Sequence, residues 1–204
     1  MAKTQPTPRT RGRPRAFDRE KALEAAMILF WRHGFEGVSI AQLTSAIGVA
    51  PPSLYAAFES KESLYRQAMQ LYLSGLGDIG VARLNEAVTA REGVQSVLDA
   101  AAVAFTRPGY PRGCMVGVGS LRCAEENIVV AEETAALRKR SQSAFTARLK
   151  RAQAEGELAR HVDIGALTDF YSSVVEGMSV QAQDGASRAR LLRIGVIAMA
   201  AWPK

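Results

Sequence analysis

Between Gly37 and Phe58 the chain reads GVSIAQLTSAIGVAPPSLYAAF, a pattern that admits few folds. Ser39 and Gln42 have the spacing of a capping box, and Val38 and Leu43 stand where a hydrophobic staple would fix the chain entry. Ile40, Leu43 and Ile47 give a short helix one apolar face. Gly48 supplies a tight turn, and Val49 plugs the corner behind it. A second short helix begins at Pro51, since proline is tolerated in a first turn where the backbone N–H is unpaired anyway. Leu54 and Phe58 pack inward, which leaves Pro51, Pro52, Ser53, Tyr55 and Ala56 facing out. Two short helices about a glycine turn form a helix-turn-helix, and a helix with small outward residues fits a major groove. Ser53 and the Tyr55 hydroxyl can reach phosphates or base edges. Ser39, at a helix start, can offer its hydroxyl and nearby N–H groups to a phosphate, and Lys61 is a further phosphate contact. The same pattern also suits a three-helix packing module with no nucleic acid.

Around this motif nearly every periodic stretch reads as helix. Leu23, Ala26, Met27 and Phe30 follow i, i+3, i+4, i+7, and Val94, Val97, Leu98, Ala101, Ala102 and Phe105 do so over a longer span. Alternating strand patterns are absent, so the expected class is all-α. Asp18 caps a first helix that ends at Gly34, and Ser60 caps a long one expected from about Lys61 to Leu84. The stretch from Arg107 to Gly113 breaks the helices. Later helices are expected from about Asn127 to Glu155, from Asp163 to about Gln183, and from Ser187 to just before Pro203. The division that follows is an arm (1–16), a DNA-binding domain (17–60) and a larger helical ligand-binding and dimerisation domain (61–204). No run of about 18 apolar residues predicts a membrane span, and the N-terminus lacks the apolar core of a secretory signal. Only Cys114 and Cys123 occur; on one helix their spacing would set them on opposite sides, which fits a reducing cytoplasm.

Charge is uneven along the chain. Of the net charge of +6, Lys3, Arg9, Arg11, Arg13 and Arg15 contribute five positive charges with no acid among residues 1–16. A basic arm on a balanced body points to a polyanion touched at one end. Arg11-Gly-Arg-Pro-Arg15 resembles the core of an AT-hook, an extended strip that lies in a narrow A·T minor groove. The expected DNA contacts are therefore Arg11, Arg13, Arg15, Ser39, Pro51, Pro52, Ser53, Tyr55 and Lys61.

The first third of the chain resembles the TetR family of bacterial transcriptional regulators. The resemblance rests on Phe17-Asp18, Ala25-Ala26, Leu29-Phe30, Gly34-Phe35, Ser39-Ile40, Leu43, Ala46-Ile47-Gly48-Val49, Ser53-Leu54-Tyr55, Phe58 and Ser60-Lys61-Glu62-Ser63-Leu64. It covers residues 16–65 densely; beyond them only helical character and length agree. It implies a homodimer on a near-palindromic double-stranded DNA operator, usually a repressor, whose C-terminal domain binds a small-molecule inducer. Pro51-Pro52 departs from the polar or basic residue and glycine common in the family, so operator sequence does not carry over from other members.

The C-terminal two-thirds shows no catalytic constellation. His33 and His161 are isolated, and no metal spacing, nucleophile elbow or phosphate loop occurs, so neither a metal nor a cofactor is expected. Phe105, Tyr110, Cys114, Met115, Leu121, Phe170 and Met178 are the candidate inducer-pocket residues, suited to an apolar or aromatic ligand, although ordinary core is the plainer reading of each. Cys114 follows Arg112-Gly113 at a helix start, a setting that favours thiolate, and some TetR-like sensors of electrophiles place a cysteine similarly. Leu167, Phe170, Tyr171, Val174 and Met178 form one stripe; Leu191, Leu192, Val196 and Met199 form another. Two such helices per chain suit a four-helix dimer interface. Two other readings stay open: an AT-hook architectural protein whose helical domain serves only for assembly, and an enzyme on a helical scaffold.

Overall fold

A computed structural model describes residues 18–77, 81–120 and 123–203. The basic arm and Leu121 lie outside the described residues. Ten α-helices and one short 3-10 turn account for the regular structure among them, and no strand is present.

The helix borders follow the chemistry of their caps. Helix α1 (Arg19–His33) starts where the Asp18 carboxylate accepts from Lys21 N, and stops at Gly34, which takes φ 73°. Helix α2 (Ile40–Ile47) opens on the capping box: Ser39 N donates to Gln42 Oε1 at 2.8 Å, and Gln42 N donates back to Ser39 Oγ at 3.2 Å. Helix α3 (Pro51–Phe58) has its two prolines in the first turn. Helix α4 (Lys61–Ser74) is capped by Ser60.

The expected continuation of α4 to Leu84 is not observed. The helix ends at Ser74, Gly77 N turns back to Tyr72 O at 2.7 Å, and a separate α5 occupies Val81–Glu86. Glycines at 75, 77 and 80 each cost about 1 kcal/mol in a helix interior, and that density ends the run.

The remaining helices are α6 (Ala90–Ala104), the single turn α7 (Met115–Val118), α8 (Ile128–Ala154) behind the 3-10 turn Glu125–Asn127, α9 (Ile164–Gln183) and α10 (Arg188–Ala200). Cys114 precedes α7 and Cys123 follows it, so the two cysteines share no helix and both are free.

Two hydrophobic cores result. The first gathers α1 to α4 around Phe30, Trp31, Phe35, Leu43, Leu54, Phe58, Leu64 and Tyr72, and takes in Met115, Val116 and Val130. The second joins α5, α6, α8, α9 and α10 around Leu98, Phe105, Phe145, Leu149, Tyr171 and Leu191. Cys114 packs against both. Between them, Trp31 Nε1 donates to Gly113 O at 3.2 Å and Phe35 N donates to Gly119 O at 2.8 Å, so the segment around α7 is pinned to the N-terminal unit.

Candidate nucleic-acid interface and effector cavity

The α2–α3 unit is rigid for reasons visible in its bonds. Gly48 adopts φ 78°, ψ 35°, and both its N–H and that of Val49 return to Thr44 O, at 2.9 and 3.1 Å. This left-handed stop sets the angle between the helices. Val38, Leu43, Leu54 and Phe58 are each at most 2 % exposed and anchor the pair to the core. Pro51, Pro52, Ser53 and Ala56 are exposed, and Tyr55 is 44 % exposed, so one face of α3 points to solvent with two hydroxyls on it. Ser39 is exposed beside it, though its hydroxyl is already engaged in the capping box. Lys61 is half-buried at the start of α4, with Nζ 4.3 Å from the Phe35 ring centroid, a cation–π contact that fixes where its charge sits.

The electrostatics of this face run against a simple charge attraction. Residues 18–70 hold five Lys/Arg and six Asp/Glu, and α3 carries no charged residue. Two of the cations are also occupied: Lys21 pairs with Asp18 at 2.8 Å, and Arg66 with Glu133 at 2.7 Å. Arg19 lies over the Phe58 ring at 5.0 Å and donates to Gln67 Oε1. The folded unit therefore offers shape, hydroxyls and backbone N–H groups, with little net attraction for a polyanion.

Behind the motif, the Glu36 carboxylate accepts from Ala124 N at 2.8 Å and Asn127 Nδ2 at 2.9 Å, tying the α1–α2 corner to the start of α8. These two hydrogen bonds hold its pKa below the ordinary carboxylate value.

A cavity of about 520 Å³ lies in the second core, walled by Leu84, Val97, Phe105, Leu137, Phe145, Ser172, Val175 and Ser179, with Cys114, Val116 and Gly117 closing the end near the N-terminal unit. Of the residues singled out from sequence as pocket candidates, Phe105 and Cys114 line it. Met115 and Met178 are fully buried in the first and second cores respectively. Tyr110 is 40 % exposed and leans on Trp31, with ring centroids 6.1 Å apart. Phe170 is also 40 % exposed, on the outer face of α9.

The two supports expected for a reactive Cys114 take a different form. The helix after it is one turn long, and Arg112 is directed to the Ala182 and Ala186 carbonyls. The Cys114 Sγ instead accepts from Tyr72 Oη at 3.5 Å.

Sequence reasoning passed over the α8 and α9 wall. Ser172 and Ser179 interrupt an apolar stripe seven residues apart, and that polar break was the available signal. Of the dimer candidates, Leu167, Tyr171, Leu191 and Met199 are buried within the chain, Val174 and Leu192 are half-buried, and Val196 is 62 % exposed. The outward face consists of Phe170, Ser173, Gly177 and Val180 on α9, with Val196, Ile197 and Ala200 on α10. Among the described residues no group of three His, Cys, Asp or Glu could hold a metal ion, and no helix is long and apolar enough to cross a membrane.

Comparisons with known proteins agree over most of the chain. Residues 22–68 match the family described as bacterial regulatory proteins, tetR family, and residues 90–193 match the tetracyclin repressor-like C-terminal domain. The HTH-type transcriptional repressor ComR of Escherichia coli is 32 % identical over 98 % of this chain and 96 % of its own length. The HTH-type transcriptional repressor BdcR of the same organism is 33 % identical over 96 % of this chain and 94 % of its own. Among solved structures, a cysteine-substituted form of the TetR family regulator CifR bound to a 26-base-pair operator DNA superposes with a TM-score of 0.87 at 44 % identity, covering 94 % of this chain and all of that one.

Proposed function

This chain belongs to the tetR family of bacterial regulatory proteins, and from that premise we propose that it is a repressor that binds an operator duplex as a homodimer and releases it when a small molecule enters the cavity of the second core. It is a sequence-specific DNA-binding transcriptional regulator. The observation that carries the reading is the capped α2–α3 unit with its outward face of Pro51, Pro52, Ser53 and Tyr55. In this reading Ser53 and Tyr55 touch base edges or phosphates, the prolines make apolar contacts such as to a thymine methyl, and Ser39 and Lys61 flank them at the backbone. Arg11, Arg13 and Arg15 supply the cationic strip that the folded unit lacks. The dimer forms through the exposed faces of α9 and α10, where Phe170, Val180, Val196 and Ile197 remain 40–74 % exposed.

Release follows from adjacency. Cys114, Val116 and Gly117 line the cavity, while Gly113 and Gly119 on the same short segment accept hydrogen bonds from Trp31 and Phe35. A ligand that moves α7 shifts α1, and with it the spacing of two recognition helices in the dimer. The Cys114 thiol in the cavity wall favours a second route, in which modification by an electrophile produces the same displacement. Release by quinones that persists in Cys114→Ser would exclude that route.

The experiment for the main reading is a footprint of the full-length protein on genomic fragments. A short protected near-palindrome is the expected result. Diffuse A·T coverage would instead favour the architectural alternative.

A further inference from the structure

We propose that the cavity takes a lipophilic carboxylate that carries one further hydrogen-bonding oxygen along its body. The inference rests on the reading of this cavity as the effector site, and names the chemistry it recognises.

The inner wall is apolar. Leu84, Val97, Phe105 and Phe145 are buried, and Val175 packs beside them. A volume of about 520 Å³ suits a small organic body. Ser172 breaks this wall. It is 8 % exposed, and its hydroxyl has no hydrogen-bond partner among the described residues. A buried hydroxyl without a partner is unfavourable, and a polar atom on a ligand relieves it. Ser179, two turns further along α9, differs because its hydroxyl already accepts from Cys114 N at 2.8 Å. Ser172 is therefore the hydroxyl in this wall that awaits a partner.

The α8 side of the cavity carries charge. Arg138 and Arg140 both line it, half-buried and exposed respectively, with Glu176 across from them on α9. Arg138 Nη1 donates to Val116 O at 3.0 Å, which fixes the guanidinium and leaves its other donors available. Neither arginine pairs with a carboxylate among the described residues, Glu176 included. Two guanidiniums against one carboxylate leave one positive charge, which a single carboxylate balances in the forked geometry that guanidinium prefers. A dianionic phosphate would leave an uncompensated negative charge beside Glu176. The oxygen that meets Ser172 must lie away from the carboxylate, along the apolar part of the molecule.

The test is calorimetric titration of the full-length protein with decanoate, with hydroxydecanoates differing in hydroxyl position, and with decanamide. Decanoate should bind saturably, decanamide about ten-fold more weakly, and at least one hydroxydecanoate more tightly than decanoate, by a factor of about five. Paired Arg138→Gln and Arg140→Gln replacements should weaken decanoate about ten-fold and leave decanamide within about two-fold. Ser172→Ala should abolish the advantage of the hydroxydecanoate without weakening decanoate. Decanamide binding as tightly as decanoate, an unchanged decanoate affinity in the double variant, or no saturable binding by any of the carboxylates would each overturn the proposal. Tight decanamide binding would overturn the charge assignment alone and leave the effector reading standing. The footprint above needs no ligand, so operator recognition is decided separately.

Discussion

At the scale of single residues, Gly48 and Glu36 do different kinds of work in the same unit. Gly48 holds φ 78° with open space where a Cβ would go, so a side chain there is opposed by backbone conformation alone. Gly48→Ala should cost about 1–2 kcal/mol, and Gly48→Asn less, because asparagine visits the left-handed region more readily. Urea denaturation gives both values, and an alanine variant as stable as wild type would contradict the assignment. Glu36 is a pH-dependent tie. Its folded pKa is lowered, so its contribution is present above the unfolded carboxylate value, about 4.3, and is lost as pH falls through the lower folded value. Glu36→Gln should therefore be less stable than wild type near neutrality, with the gap closing on acidification below about pH 4. A gap of constant size across that window is the result that rules the tie out. Gly48 was legible in the sequence because its turn is local; Glu36 was not, because its partners at 124 and 127 are distant in the chain.

At the scale of elements, one buried cation joins α8 to the α5–α6 junction. The Arg148 side chain is fully buried; its Nε donates to Leu84 O at 3.1 Å, and its Nη2 lies 3.3 Å from Glu157 Oε1. Glu157 Oε2 in turn accepts from Ala90 N at 2.6 Å, at the start of α6. Removing the carboxylate strands a buried guanidinium and an unpaired N–H. Glu157→Ala should cost about 2–3 kcal/mol, the range for breaking a buried pair reduced because the Glu157 side chain is 24 % exposed. Glu157→Gln keeps acceptors and should cost about half as much. Denaturation midpoints measure both, and a Glu157→Ala change below about 0.5 kcal/mol would mean the pair is idle. The sequence placed a helix from about Asn127 to Glu155, but an arginine inside a long polar-looking segment reads as surface until the fold encloses it.

At the scale of the whole molecule, the proposed function places assembly and DNA attraction in parts far from the reading head. Val196 and Ile197 are 62 % and 74 % exposed, more than isolated apolar residues on a chain of this kind require. Val196→Glu with Ile197→Glu should convert the proposed dimer to monomer by sedimentation velocity and weaken operator binding at the same protein concentration, since one half-site is then contacted at a time. An intact dimer in that variant would move the interface elsewhere. Residues 18–70 are nearly balanced in charge, so the proposed function puts the salt dependence of operator binding on residues 1–15. Deleting them should weaken binding and reduce the log–log salt slope by up to about 4.5, at close to 0.9 for each phosphate no longer neutralised by their five cations. An unchanged slope would place the neutralising cations on the folded domain.

The sequence by itself determined the all-α class, the capped starts of α1, α2, α4, α9 and α10, and the motif that reads DNA, because capping boxes, glycine stops and apolar periodicity act within a few residues of one another. The break at Gly75 was written there too, in glycine density that the apolar pattern of α4 masked. What the tertiary structure decided was everything that depends on which faces meet. Buried apolar stripes look alike whether they serve a core, a cavity or a partner, so Phe170 turned outward, Met178 inward, and Phe105 to the cavity, with no local signal to separate them. The cavity and its Arg138, Arg140 and Ser172 exist because α6, α8 and α9 converge, and convergence is a property of long-range packing that no short segment encodes.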